Sequence, residues 1–217
     1  MGSNSYIKVF LKGVHDDYIP SISKSGRAQA AAVRSARFTF SRGWAHLANY
    51  GGSVKALAAV KARLVQAAGD KDLPPYIYND LKREHLIRTG SVVLHELYFE
   101  NLGGSGEAAA TEREAIAQAF GSFEDWEREF RRIGAGLGGG SGWVVLGFNL
   151  HTRQLENYWM ADHAHGPAAT VPILVMDMYE HSYQMDYGAA AAKYIDAFFQ
   201  NIQWESVSAR LAGARAI

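Results

Sequence analysis

The sequence predicts an α+β protein, helical in its front half and mixed in its rear half. Three observations carry this reading. From Arg27 to Leu102 the chain is alanine-rich or periodically apolar, broken only by a proline-bearing connector. Beyond Gly103-Gly104-Ser105-Gly106, three short apolar runs rich in valine, isoleucine and aromatics follow one another. Near the C-terminus, Tyr194, Phe198 and Ile202 recur at fourfold spacing, the period of a helix face.

Residues 1–26 give no clear pattern: Tyr6 to Leu11 is a short apolar run, and Gly13, Pro20 and Gly26 interrupt the residues after it. Arg27 to Ala68 reads as helix, with Gly51-Gly52 expected to kink it or to mark two helices meeting. Asp70 to Pro75 is a connector, because proline stops a helix and stiffens a link. A second helix is expected from about Tyr78 to Leu102, with Gly90 inside it. The glycine-rich stretch at 103–106 marks the domain boundary, giving a domain of residues 1–103 and another of residues 104–217. Thr111 to Ala119 reads as a helix with an acidic first turn, and Ser122-Phe123-Glu124-Asp125 opens another as a capping-box variant. The glycines of 134–142 are expected to form a hinge. Trp143 to Phe148 and Leu155 to Trp159 read as strands around the turn His151-Thr152-Arg153, and Val171 to Met176 as a third. Gly188 to Arg210 reads as the last helix.

Composition narrows the function classes. A chain of 217 residues, 48% of them hydrophobic, can build one or two domains with a real core. Lys+Arg and Asp+Glu are 22 each, so the net charge is zero, which argues against a nucleic-acid partner. An anionic substrate would have to be attracted by charges near the site alone. Cysteine is absent, which excludes disulfides, thiolate metal sites and cysteine nucleophiles. No apolar run reaches the roughly 18 residues of a membrane helix. Met1 to Ser5 lacks the start of a signal peptide, so the expected location is cytoplasmic. The glycines of 134–142 contain no GxxxxGK[ST] pattern, which argues against a phosphate loop.

The stretch richest in chemistry is Asp177-Met178-Tyr179-Glu180-His181, directly after the third strand run. If a helix begins at Asp177, the i,i+4 spacing puts Asp177 and His181 on one face. A carboxylate and an imidazole converging at a strand end suit iron, manganese or zinc. The alternative is that Asp177 caps the helix and His181 makes an ordinary polar contact. Among the eight histidines, His95 lies within the apolar run Val92 to Phe99, where a buried core role is equally open.

Asp177-Met178-Tyr179-Glu180-His181-Ser182-Tyr183, with Asn201 and Trp204 further on, resembles the C-terminal end of the iron/manganese superoxide dismutase family. Gly140-Ser141-Gly142-Trp143, Phe120-Gly121-Ser122-Phe123 and His95-Glu96-Leu97-Tyr98-Phe99 extend the likeness, which is strong from about Leu73 to Leu211 and weak before. The resemblance implies an N-terminal helical hairpin followed by an α/β domain with a three-stranded antiparallel sheet. It implies one Fe or Mn ion per chain, held by His46, His95, Asp177 and His181, with superoxide as substrate. His46 lies 49 residues before His95, in a first helix poorer in histidine than the family's. On this alignment Tyr50 replaces a second family histidine and Val54 replaces the tyrosine that gates the site. The competing alignment makes Tyr50 the gate and puts Arg42 at the ligand position, where arginine cannot bind a metal. Spacing favours the first.

The resemblance also places His163 where a glutamine or histidine bonds the solvent on the metal, making His163 and Tyr50 the candidate catalytic residues, with Ser91 small to make room. Trp143 and Tyr179 would line the cavity. Glu180 would reach a partner chain's ligand histidine, implying a homodimer through this segment. Gln184 replaces a family tyrosine, and a Tyr50–Gln184 bond is expected in its place. The competing function is a non-catalytic or repurposed member of the same fold, binding metal structurally or acting as an interaction module.

Overall fold

The computed structural model describes residues 44–217, with side chains from Asn49 onward. The expectations for residues 1–43, including Arg42, lie outside the described residues. Seven helices and three strands are described: α1 (Trp44–Gly69), α2 (Pro75–Glu100), α3 (Ala110–Phe120), α4 (Phe123–Leu137), β1 (Trp143–Asn149), β2 (Gln154–Met160), β3 (Thr170–Asp177), α5 (Glu180–Tyr187), α6 (Ala191–Phe199) and α7 (Trp204–Arg215). This is the expected α+β architecture, a helical pair followed by a three-stranded sheet with helices.

The α1–α2 hairpin forms because both segments are built from strong helix formers and the Asp70–Pro74 connector cannot continue either. The Gly51-Gly52 pair does not break α1, which runs through it without interruption. A Cβ at either glycine would meet nothing within 4 Å, so no packing pressure bends the helix there. The glycines of 134–142 are likewise not all hinge. Gly134 and Gly136 lie inside α4, and Gly134 is pressed against Met176, whose Cε would stand 2.7 Å from an added Cβ. Ser122 caps α4 as expected, its Oγ accepting from the Asp125 N–H at 2.9 Å.

The sheet has the order β2-β1-β3, with both pairings antiparallel. Trp143 on β1 sits opposite both Met160 and Asp177, so the end of β3 is held in the middle of the protein. A bulge at Leu146/Gly147 leaves Ile173 as the extra residue of β3. Below the sheet, Trp126, Phe130, Phe198, Phe199 and Trp204 form an aromatic core with ring centroids 5.7–6.4 Å apart.

The expected single helix from Gly188 to Arg210 is in fact α6 and α7, broken at Gln200–Gln203. The break has a tertiary cause. Leu102 bridges Ile202, the Gln203 N–H donates to the Asn101 carbonyl at 2.6 Å, and the Gly104 N–H donates to the Asn201 carbonyl at 3.1 Å. Gly104 and Gly106, which read as linker, lie against this backbone so closely that an added Cβ would come within 2.1 and 2.5 Å of a carbonyl oxygen.

Candidate metal centre

Two elements meet at the centre of the site. His95 is on α2 and 1% exposed; Asp177 ends β3 and is fully buried. The expected helix start at Asp177 is displaced: β3 runs through Asp177, and α5 begins only at Glu180. The Asp177 side chain explains the offset, since its Oδ1 accepts from the Tyr179 N–H at 2.8 Å and closes an Asx turn. Oδ2 is left facing inward, and His181 comes round on the first turn of α5.

The three side chains converge. Asp177 Oδ2 stands 3.3 Å from His181 Nε2 and 3.7 Å from His95 Nε2, and the two Nε2 atoms are 3.5 Å apart. Among the described residues, His95, Asp177 and His181 form the group able to hold a metal ion. Donors about 2.1 Å from a shared centre at angles of roughly 90–120° lie about 3.0–3.6 Å apart, so the set fits a first-row metal. Two imidazoles and a carboxylate suit iron, manganese or zinc.

The tautomers are set from outside the group. His95 Nδ1 lies 2.6 Å from the Ser91 carbonyl oxygen, which can only accept, so Nδ1 carries the proton and Nε2 keeps its lone pair for the centre. The Asp177 backbone is pinned by the Tyr194 hydroxyl, which donates to the Asp177 carbonyl at 2.6 Å and lies 3.1 Å from the Tyr98 hydroxyl. Asn101 Nδ2 donates to the Val175 carbonyl at 2.7 Å, tying α2 to the same strand.

His163 lies beside this group. Its ring centroid is 5.8 Å from that of His95, and its Nδ1 accepts from the Trp143 indole N–H at 3.0 Å. That bond places the His163 proton on Nε2. Burial lowers the pKa of the His163 imidazole, against the opposing pull of Asp177, so the ring is neutral at neutral pH. Tyr179 stacks on it at 4.8 Å, its phenol pushed up to about 12 by burial and the nearby Asp177. Trp143 is fully buried and meets His95 edge-on at 5.0 Å.

A cavity of about 490 Å³ opens onto the group, lined from α1 by Asn49, Gly52, Ser53 and Ala56. Arg88, Ser91 and His95 line it from α2, and His163, Tyr179 and His181 complete it. Val54 is half-buried against the hydrophobic core. The Tyr50 hydroxyl donates to Glu96 Oε1 at 2.7 Å within the same chain, and the Tyr50–Gln184 bond expected across a dimer interface would take a partner chain. Gln184 itself is exposed, as is Glu180. The backbone of His46 lies in α1, but its side chain is outside the described residues.

Sequence reasoning missed Arg88 and the hydroxyl of Ser53, and read Ser91 only as a small residue. A helical projection from His95 finds two of the three, since Ser91 is one turn before it and Arg88 two. Nothing local marked Ser53, Tyr194 or Asn101.

Residues 108–210 match the family model described as iron/manganese superoxide dismutases, C-terminal domain. The superoxide dismutase [Fe] of Cupriavidus metallidurans is 49% identical over 166 residues, covering 76% of this chain and 84% of that protein. The superoxide dismutase [Fe] of Aquifex aeolicus is 34% identical over 140 residues, 63% of this chain and 64% of that one. The superoxide dismutase [Mn] 2 of Haloferax volcanii is 37% identical over 123 residues, 54% of this chain and 59% of that one. With a two-histidine, one-carboxylate group converging at the end of its third strand, and a relative this similar over most of both chains, the protein belongs to the iron/manganese superoxide dismutase family.

Proposed function

We propose that the protein converts superoxide to oxygen and hydrogen peroxide at one iron or manganese ion per chain, held by His95, Asp177 and His181 with His46 as the further ligand. The observation that carries this reading is the convergence of three donor atoms within 3.3–3.7 Å in a chain of this family. When bound, the ion supplies a one-electron couple that oxidises one superoxide and reduces the next.

The chain's own residues do the rest. Ser91 and the Tyr98–Tyr194 pair hold His95 and Asp177 in place, which removes reorganisation from the reaction. His163 keeps its proton on Nε2 at the cavity wall and acts as a neutral hydrogen-bond donor there. Tyr50 supports the site through Glu96, joining α1 to α2 one residue from His95. The non-catalytic alternative gains nothing from the three described donors, which converge with Asp177 and His95 buried.

The proposal extends to a homodimer formed through the exposed Glu180 segment, to a cytoplasmic location, and to the division at residue 103. Among the described residues no helix is long and apolar enough to cross a membrane. Light scattering giving only the 23.8 kDa single chain at micromolar concentration would contradict the dimer.

The main test is metal content. The wild type should carry iron or manganese near one ion per chain, and His95→Ala and Asp177→Ala should each lose most of it while staying folded. Wild-type protein holding only zinc, or variants keeping stoichiometric iron or manganese, would overturn the assignment, because zinc has no redox couple.

A further inference from the structure

We propose that Ser53 and Ser91 form a two-hydroxyl proton relay through the cavity wall, supplying the protons that turn reduced superoxide into hydrogen peroxide. This rests on the dismutation reading above. One superoxide takes one electron, supplied by the bound ion, and two protons to leave as hydrogen peroxide. The relay brings those protons across from solvent.

The geometry is specific. Ser53 comes from α1 and Ser91 from α2, and both line the cavity beside His95. Their side chains are nonetheless 8% and 2% exposed, and the two Oγ atoms are 2.9 Å apart. Ser91 Oγ lies 3.5 Å from His95 Nδ1. A serine hydroxyl donates one proton and accepts through two lone pairs, so a linked pair can pass a proton along without either oxygen becoming charged. In each of two passes the Ser91 O–H bond breaks as its proton goes, by way of cavity water, to the reduced oxygen species. The Ser53 proton moves to the Ser91 oxygen, and a solvent water returns a proton to Ser53 and leaves as hydroxide.

The other groups nearby are committed elsewhere. The His95 Nδ1 proton is held by the Ser91 carbonyl, and the Tyr50 hydroxyl is given to Glu96. Val54 has no exchangeable proton. Tyr179 lines the facing side of the cavity, stacked on His163. Two hydroxyls facing each other across a helix–helix contact also need an explanation, since alanine would pack in the same space. Each buried hydroxyl is tolerated there because the other satisfies it.

The experiment uses metal-loaded wild type, Ser53→Ala, Ser91→Ala and Ser53→Thr, with iron or manganese content measured for each. Pulse radiolysis in H₂O and D₂O separates the oxygen-forming and peroxide-forming half-reactions, and azide binding reports on the intact centre. The alanine variants should slow the peroxide-forming step about tenfold or more and change its solvent isotope effect. In Ser53→Ala, metal content, azide affinity and the oxygen-forming step should stay at wild-type values, and Ser53→Thr should keep the wild-type rate. Wild-type peroxide formation in both alanine variants would overturn the relay. So would equal slowing of both half-reactions, which would mark the pair as packing alone. Fully loaded wild type without any dismutation would instead overturn the superoxide reading, and the relay with it.

Discussion

Replacing Gly90 by alanine should damage this protein, although the same change stabilises most helices. Gly90 lies in the interior of α2, where glycine to alanine ordinarily gains about 1 kcal/mol. Here an added Cβ would stand 1.9 Å from the His163 carbonyl oxygen and 2.9 Å from its carbonyl carbon. Real Cβ atoms essentially never come closer than 3.0 Å to a neighbour, so the His163 backbone must retreat by about 1.1 Å. The obstacle is backbone, which cannot swing aside as a side chain can. Such overpacking costs about 1–3 kcal/mol. Set against the propensity gain, the net loss runs from near zero to about 2 kcal/mol, or a melting midpoint lower by about 2–4 °C per kcal/mol. The sharper effect is on the site. A displacement of that size in the His163 backbone disturbs the seat of a ring held by a 3.0 Å bond from Trp143, and with it the tautomer that the indole fixes. Thermal unfolding and superoxide turnover per bound metal, compared with Gly51→Ala, measure both effects. Gly51 has nothing within 4 Å of its added Cβ, so alanine there should raise the midpoint. A Gly90→Ala protein as stable as Gly51→Ala and fully active would refute the reasoning.

Two further outcomes stem from charge. Arg88 lines the cavity and is bonded to Glu84 at 3.1 Å, in a chain of zero net charge. Arg88→Gln should lower kcat/KM for superoxide roughly two- to tenfold at low salt, with the gap closing above about 0.1 M; Glu84→Gln should raise it, and a salt-independent rate in the wild type would contradict both. For His163, burial holds the folded imidazole below its unfolded value of about 6.5, so the unfolded chain binds more protons between the two values. The stability this group contributes is therefore fully present above that unfolded value and lost as pH falls through the folded one. His163→Gln should flatten the fall in melting midpoint between pH 7 and 5, and an unchanged slope would contradict it.

Much of this was legible locally. The three strands lay where apolar runs met turn residues, because side-chain alternation and turn chemistry are properties of neighbours in sequence. The Ser122 cap could be read for the same reason, and the four-residue step from Asp177 to His181 brought those two residues together even though the helix starts later than expected. What could not be read was set at long range. The break between α6 and α7 exists because Leu102 and Asn101, a hundred residues earlier, claim the backbone of Ile202 and Gln203. The Tyr194 bond to Asp177 and the Ser53–Ser91 contact likewise join elements far apart in the chain, and no local pattern announces either. Glycine misled in both directions. Gly51-Gly52 reads as a breaker and is carried through, while Gly104 and Gly106 read as slack and are tightly packed.

The distance along the chain between His95 and His181, 86 residues, also orders events during synthesis. At about 5–20 residues per second, a ribosome needs roughly 4–17 s to move from the first of these donors to the last. During that interval the emerging polypeptide offers single histidines with the weak and unselective affinity of any exposed imidazole. Selective capture of an ion waits for β3 to dock on α2. Which metal the protein carries is then set by the pool of free ions around the chain once β3 has been made, and the binding free energy arrives with that docking step. Growth conditions that change the iron-to-manganese ratio late in translation should therefore rewrite the cargo without altering a residue.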